Sequence, residues 1–174
     1  MIKMLSMYIS IVNKLNTFIG KLSSLLPILL VFFTVYEVIM RYVFNKPTIW
    51  AWDLNAQIYA ALVLLTGGYT MLERGHISVD FLVQNLSKKK RVLLDIITAV
   101  IVLFALIIII IYGWEVAWDS FKKKEPMSTL WAPPLYTVKL MIPIGAFLIF
   151  NQRIVLLIQD LYFLIKSKEW SENV

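Results

Sequence analysis

Cysteine, histidine and charge are all scarce in this chain. Of 174 residues none is cysteine, one is histidine and only 16% are charged. Without cysteine there are no disulfides and no thiolate metal centres, and no redox compartment is legible. A lone histidine, His76, builds no histidine metal cluster, so no metal and no cofactor are expected. The shortage of charge excludes an ordinary soluble domain, in which about a quarter of the residues are charged. Apolar surface takes its place: 60% of the residues are hydrophobic and the mean hydropathy is +0.76. A soluble fold of this length has too little interior to hide that surface, so the excess faces lipid or another apolar protein. The net charge of +6 would suit nucleic acid. In so apolar a chain it reads instead as basic loops at a membrane surface, and no nucleic-acid partner is expected.

The few charges cut the sequence into apolar stretches. None falls between Lys21 and Glu37, and none between Asp53 and Glu73. From Val92 to Trp114 the one charge is Asp95, and from Trp131 to Phe150 it is Lys139. Each stretch is about 20 residues, or ~30 Å of helix, the thickness of a hydrocarbon core. The isoleucine run Ile107–Ile111 would argue for strand in water, but a lone strand in lipid leaves its backbone unpaired, so helix wins. The expected fold is all-α: one integral membrane domain over residues 1–174 with four transmembrane helices. They are expected at 22–43, 52–73, 91–114 (running on to about 121) and 133–152, with an extension to 165. Amphipathic interfacial helices are expected at 3–19 and 78–86. Pro133 and Pro134 suit the first turn of the fourth helix, and Pro143 removes a donor within it.

Lysine and arginine set the orientation. Lys3, Lys14, Lys21, Arg74, the run from Lys88 to Arg91, Lys166 and Lys168 fall on one side; Lys46 and Lys122–Lys124 fall on the other. Both termini are therefore expected in the cytoplasm. Trp50, Trp52, Trp114, Trp118 and Trp131 gather near the outer boundary, as an aromatic belt does.

Glu37 is an intramembrane carboxyl, the type of residue that carries protons or binds ions. Arg41 is four residues on, where side chains of one helix face meet, so an ion pair at the outer interface is the plainer reading. The rival is a self-sufficient, proton-coupled transporter built on Glu37. His76 and Asp80, also four apart, would suit acid–base chemistry. No nucleophile or metal set accompanies them, so the chain is not expected to be an enzyme. In the second stretch Ala56, Ala60 and Gly67, with Gly68 beside them, form a small-residue face for close helix packing, within the chain or against a partner. Ion-coupled transporters hold substrate on polar groups near the midplane; no such site is evident in these stretches.

Several short motifs occur in order along the chain: Arg41-Tyr42-Val43-Phe44, Trp50-Ala51-Trp52-Asp53-Leu54, Gly67-Gly68, Gly75-His76-Ile77-Ser78-Val79-Asp80, Ser128-Thr129-Leu130, and Ile142-Pro143-Ile144-Gly145. Together they resemble the DctQ-like small membrane subunit of tripartite ATP-independent periplasmic (TRAP) transporters. At Trp52 and Ala56 the chain departs from the acid and the arginine that many relatives carry. The resemblance implies a scaffold in the bacterial inner membrane. It would pair with a large multi-spanning TRAP subunit that moves as an elevator and holds the substrate and sodium sites. A periplasmic binding protein would deliver an organic acid of the C4-dicarboxylate or sialic acid class. On this reading Glu37, Arg41, Trp50, Asp53, Gly67, Gly68, His76 and Asp80 are structural or interface residues, with His76 and Asp80 fixing the turn after the second helix.

Overall fold

A computed structural model describes residues 2–73 and 87–166. Among the described residues there are five helices: α1 Ile2–Ser23, α2 Leu26–Tyr42, α3 Ala51–Leu72, α4 Lys88–Lys123 and α5 Tyr136–Lys166. The described residues hold no strand, only an isolated bridge between Pro126 and Pro134. The interfacial helix expected at 78–86 lies outside the described residues.

Three helical segments are long and apolar enough to cross a bilayer: Lys3–Tyr42, Lys89–Lys123 and Tyr136–Lys166. The first joins α1 to α2 through a turn at Ser24–Leu25. The expected second crossing, α3, is not among them. Its 22 residues span about 33 Å at 1.5 Å each, but Asn55, Gln57, Thr66 and Thr70 interrupt its apolar run.

Pairings between residues give the helix directions. Thr34 of α2 meets Asn55 of α3 while Tyr36 and Phe33 meet Trp50 before it, so α2 and α3 run antiparallel. Gln57 pairs with Thr137, and Leu64 touches Gly145, so α3 and α5 run parallel. Phe121 packs on Tyr136 and Arg153 donates to the Asp95 carbonyl, so α4 and α5 run antiparallel. The main packed interfaces link α5 to α4, α3 to α5, α1 to α3 and α2 to α3; leaving α1 aside, they join α2, α3, α5 and α4 in that order. The four helices thus form an open row, not a closed bundle.

Each helix faces its neighbours as its sequence dictates. On α4 the buried residues Val92, Ala99 and Leu106 recur every seven positions, followed by Ala117 and Ser120; this narrow seam is what one neighbour requires. α5 has two flanks to cover and buries Pro143, Gly145, Ala146, Leu148, Gln152 and Val155. α2 buries no residue. Glycines set the closest approaches. A Cβ on Gly145 would strike the Leu64 carbonyl, and one on Gly67 would come within 2.6 Å of Ile149. Small residues allow this approach between helices in lipid.

α1 crosses the row. Tyr8 and Asn16 are two turns apart, about 12 Å, yet they bond to adjacent residues of α5, Asn151 and Gln152. Ile9 and Val12 are buried with Val155. The helix expected at 3–19 extends over Ile2–Ser23; Ile9 and Val12 meet protein, while Met4, Met7, Ile11, Leu15, Phe18 and Leu22 remain an exposed apolar stripe.

The fourth apolar segment begins later than expected. Pro133 and Pro134 belong to the loop before α5, where the Pro133 carbonyl accepts from Met127 N–H at 2.8 Å and Glu125 C=O accepts from Leu135 N–H at 2.9 Å. These bonds commit the two prolines to loop pairing. α5 then continues unbroken through Pro143 to Lys166.

Candidate functional site

At one end of the row α2 and α4 finish while α3 and α5 begin. Here Glu37 is held by four donors. Arg41 gives Nη2 at 2.6 Å and Nε at 3.0 Å to Oε1, and Thr48 gives its N–H at 3.1 Å and its hydroxyl to Oε2. The carboxyl thereby ties the loop after α2 back to its own helix. Asn45 adopts φ 53° in that loop, and the Lys46 N–H reaches back to the Met40 carbonyl at 2.9 Å. Trp50 closes it by stacking on Tyr36 at 5.7 Å and meeting Phe33 edge-on at 5.9 Å. Glu37, Arg41 and Trp50 are thus brought together. Thr48 was not singled out in the sequence, and a lone threonine in a polar loop offers no pattern that would mark it.

Asp53 sits in the first turn of α3, where an acidic side chain suits the helix dipole. It is 3% exposed, and its Oδ2 accepts from the Thr129 hydroxyl at 2.6 Å. Thr129 Oγ1 in turn accepts from Ala132 N–H at 3.3 Å. The loop between α4 and α5 is thereby pinned over the start of α3, with Leu130 projecting 90% exposed. Lys139 of α5 donates to Glu125 of the loop at 2.5 Å. That ammonium holds the Glu125 carboxyl below the usual carboxylate range.

Toward the other end lies a buried amide cluster that sequence reading missed. Asn16 Nδ2 donates to Gln152 Oε1 at 2.8 Å, and Gln152 Nε2 donates to Asn13 Oδ1 at 3.2 Å. Tyr8 donates to Asn151 at 2.9 Å. Asn16 and Gln152 are fully buried. Gly68 makes room for this cluster, because a Cβ there would strike the Asn16 amide. Gly20 plays the same part against the Tyr69 ring. The sequence signal was faint but present: Asn13 and Asn16 are three apart on one helix face, and Gln152 is seven residues past Gly145, so it falls on the same face of α5.

The small-residue face divides. Gly68 and Ala61 are buried, Gly67 and Ala60 are half-buried, and Ala56 is exposed. Ala56 belongs to an exposed stripe of α3 with Trp52, Tyr59 and Val63. His76 and Asp80 lie outside the described residues.

Among the described residues no group of three His, Asp or Glu is placed to hold a metal. Buried Asn16 and Gln152 pair helix to helix and buried Asp53 pairs helix to loop, while the long outer faces are apolar. The arrangement suits binding of apolar protein or lipid. The family model described as the DctQ component of tripartite ATP-independent periplasmic transporters matches residues 30–162, from α2 into the last turns of α5. No curated protein matches the chain.

Proposed function

The chain belongs to the DctQ family of TRAP transporter components, and from that premise we propose that it is the non-catalytic small subunit of a sodium-coupled organic-acid importer. Its task is to brace a large membrane subunit that moves substrate supplied by a periplasmic binding protein. The observation that carries this reading is the open row of helices. Polar side chains such as Glu37, Asp53 and Gln152 are engaged inside the chain, and large apolar side chains line the long outer faces of α2 and α4. A row has two broad faces, which suits a flat brace. A pathway would need a polar interior.

The proposal takes α3 as a fourth crossing. Its direction, antiparallel to α2 and parallel to α5, fits an up-down-up-down path through a bilayer. The amides that lower its apolarity are met by neighbours: Asn55 by Thr34 and Gln57 by Thr137. Both termini then face the cytoplasm of an inner membrane, and the end with Trp50 and Leu130 faces the periplasm. The stripe Trp52–Ala56–Tyr59–Val63 is the surface assigned to the large subunit. Glu37, Arg41, Trp50 and Asp53 hold the periplasmic loops, Gly67 and Gly68 permit close packing, and His76 and Asp80 fix the cytoplasmic turn.

Co-expression with a large multi-spanning TRAP membrane subunit tests the reading. The tagged chain should retain that protein through purification, and Ala56→Trp with Tyr59→Ala should release it. A chain that purifies alone as a stable monomer would overturn the proposal. The rival, proton transport through Glu37, predicts uptake by the chain alone in liposomes. The four donors on Glu37 argue against a carboxyl free to load and release protons, so no uptake is expected.

A further inference from the structure

We propose that the cleft at the C-terminal end of α4 seats the phosphate headgroup of an anionic phospholipid, with the acyl chains running along the exposed face of α4 beneath it. The inference rests on α4 crossing a bilayer, not on the identity of any protein partner.

The cleft is open, with a volume of about 490 Å³, and Lys122, Lys124, Phe121, Tyr136, Pro126 and Pro134 line it. Its walls are fixed. Lys124 ends α4 in a left-handed conformation, φ 49°. Its N–H donates to Phe121 C=O at 3.2 Å, and Glu125 N–H donates to Ser120 C=O at 3.1 Å. That is a Schellman closure, made here without the usual glycine. Phe121 meets Tyr136 edge-on at 5.3 Å, and the bridge between Pro126 and Pro134 sets the far wall.

Charge in the cleft is of one sign. Asp119 is taken by Lys123 at 2.7 Å and Glu125 by Lys139 at 2.5 Å. Lys122 and Lys124 are left facing the opening, with Lys122 held over the Trp118 ring at 5.8 Å. A phosphate complements two such ammonium groups.

Below the cleft the surface changes character along one helix face. Trp114, Trp118 and Phe121 stack in turn, with centroids 6.3 and 5.5 Å apart. Phe104, Ile107 and Ile111 extend the same exposed stripe down the helix. A basic mouth above an aromatic step and an aliphatic track matches a phospholipid from headgroup to tail. A soluble anion would have no use for the track.

Native mass spectrometry of the full chain, titrated with phosphatidylglycerol or phosphatidylcholine in detergent, tests this. Two lysines at about 1 kcal/mol each predict roughly thirtyfold better retention of phosphatidylglycerol. The exposed pair K122Q/K124Q should abolish that preference, and K122R/K124R should keep it. K89Q/K90Q, at the opposite end of α4, should also keep it. The proposal is overturned if K122Q/K124Q retains the preference, if K122R/K124R loses it, or if K89Q/K90Q loses it equally. Millimolar inorganic phosphate should leave the lipid bound. Its displacement by phosphate would assign the cleft to a soluble anion and overturn the lipid assignment. None of these outcomes bears on co-purification with a large subunit, so this proposal and the subunit reading fail separately.

Discussion

Gly145 of α5 lies against the backbone of Leu64 in α3, close enough that any Cβ at 145 would strike the Leu64 carbonyl. Backbone cannot step aside as a flexible side chain can. This contact sets how near the two central helices approach, and both flanks of the row are registered from it.

Gly145→Ala should therefore force α3 and α5 apart and destabilise the chain by about 1–3 kcal/mol, the usual range for overpacking. Gly113→Ala is the matched control, since a Cβ there would be in ordinary contact with Pro143 at 3.6 Å. Thermal unfolding in detergent should show a clear loss for the first variant and almost none for the second. Equal losses would disprove the account.

The Asp53–Thr129 hydrogen bond spans a large separation in sequence and anchors the α4–α5 loop. Asp53→Ala leaves the Thr129 hydroxyl without its acceptor and is expected to destabilise by about 1–3 kcal/mol. Asp53→Asn keeps an acceptor oxygen and should recover much of that. Hydrogen exchange should show Ala132 N–H losing protection in the alanine variant, while the Gln152 region of α5 stays unchanged.

Removing one partner of the amide cluster should loosen α1 from the row. The coupling between Asn16→Ala and Gln152→Ala in a double-mutant cycle should be roughly 0.6–1.7 kcal/mol, as for interhelical hydrogen bonds in membranes. Limited proteolysis between α1 and α2 should speed up in either single variant. Additive effects would mean that the two amides act independently.

The Lys139–Glu125 pair makes loop docking sensitive to acid. The folded carboxyl is depressed below its unfolded value, so the pair's contribution is complete above that unfolded value, about 4.3. It is lost as pH falls through the depressed folded value. Exchange at Leu135 N–H, which bonds to Glu125 C=O, taken relative to its intrinsic rate at each pH, should be flat from neutral pH down to that range and rise below it. Lys139→Met should remove the cause of the depression and move the rise to higher pH. An unchanged profile in that variant would rule out Lys139 as the cause.

Much of the local structure was legible in the residues. The spacing of charges marked the apolar stretches, and the four-residue separation of Glu37 and Arg41 foretold their pair. The buried amides were not legible. Asn16 and Gln152 sit near the edges of their apolar stretches, where a polar side chain ordinarily meets water or headgroups. Only the steep crossing of α1 over α5 turns them inward. Ala56 shows the reverse: its spacing with Ala60 and Gly67 suggested one packed face, but Gly67 packs against Ile149 of α5 while Ala56 is exposed.

Residue types and local spacing by themselves determined that this chain is apolar, helical and without cysteine, because those properties need no long-range contact. Tertiary structure decided that the helices stand in an open row with α1 laid across it. It also decided that Asp53 anchors a distant loop and that α3 packs between α2 and α5. Which faces meet depends on contacts between residues far apart in sequence, and helical periodicity carries no record of the neighbour a face will find.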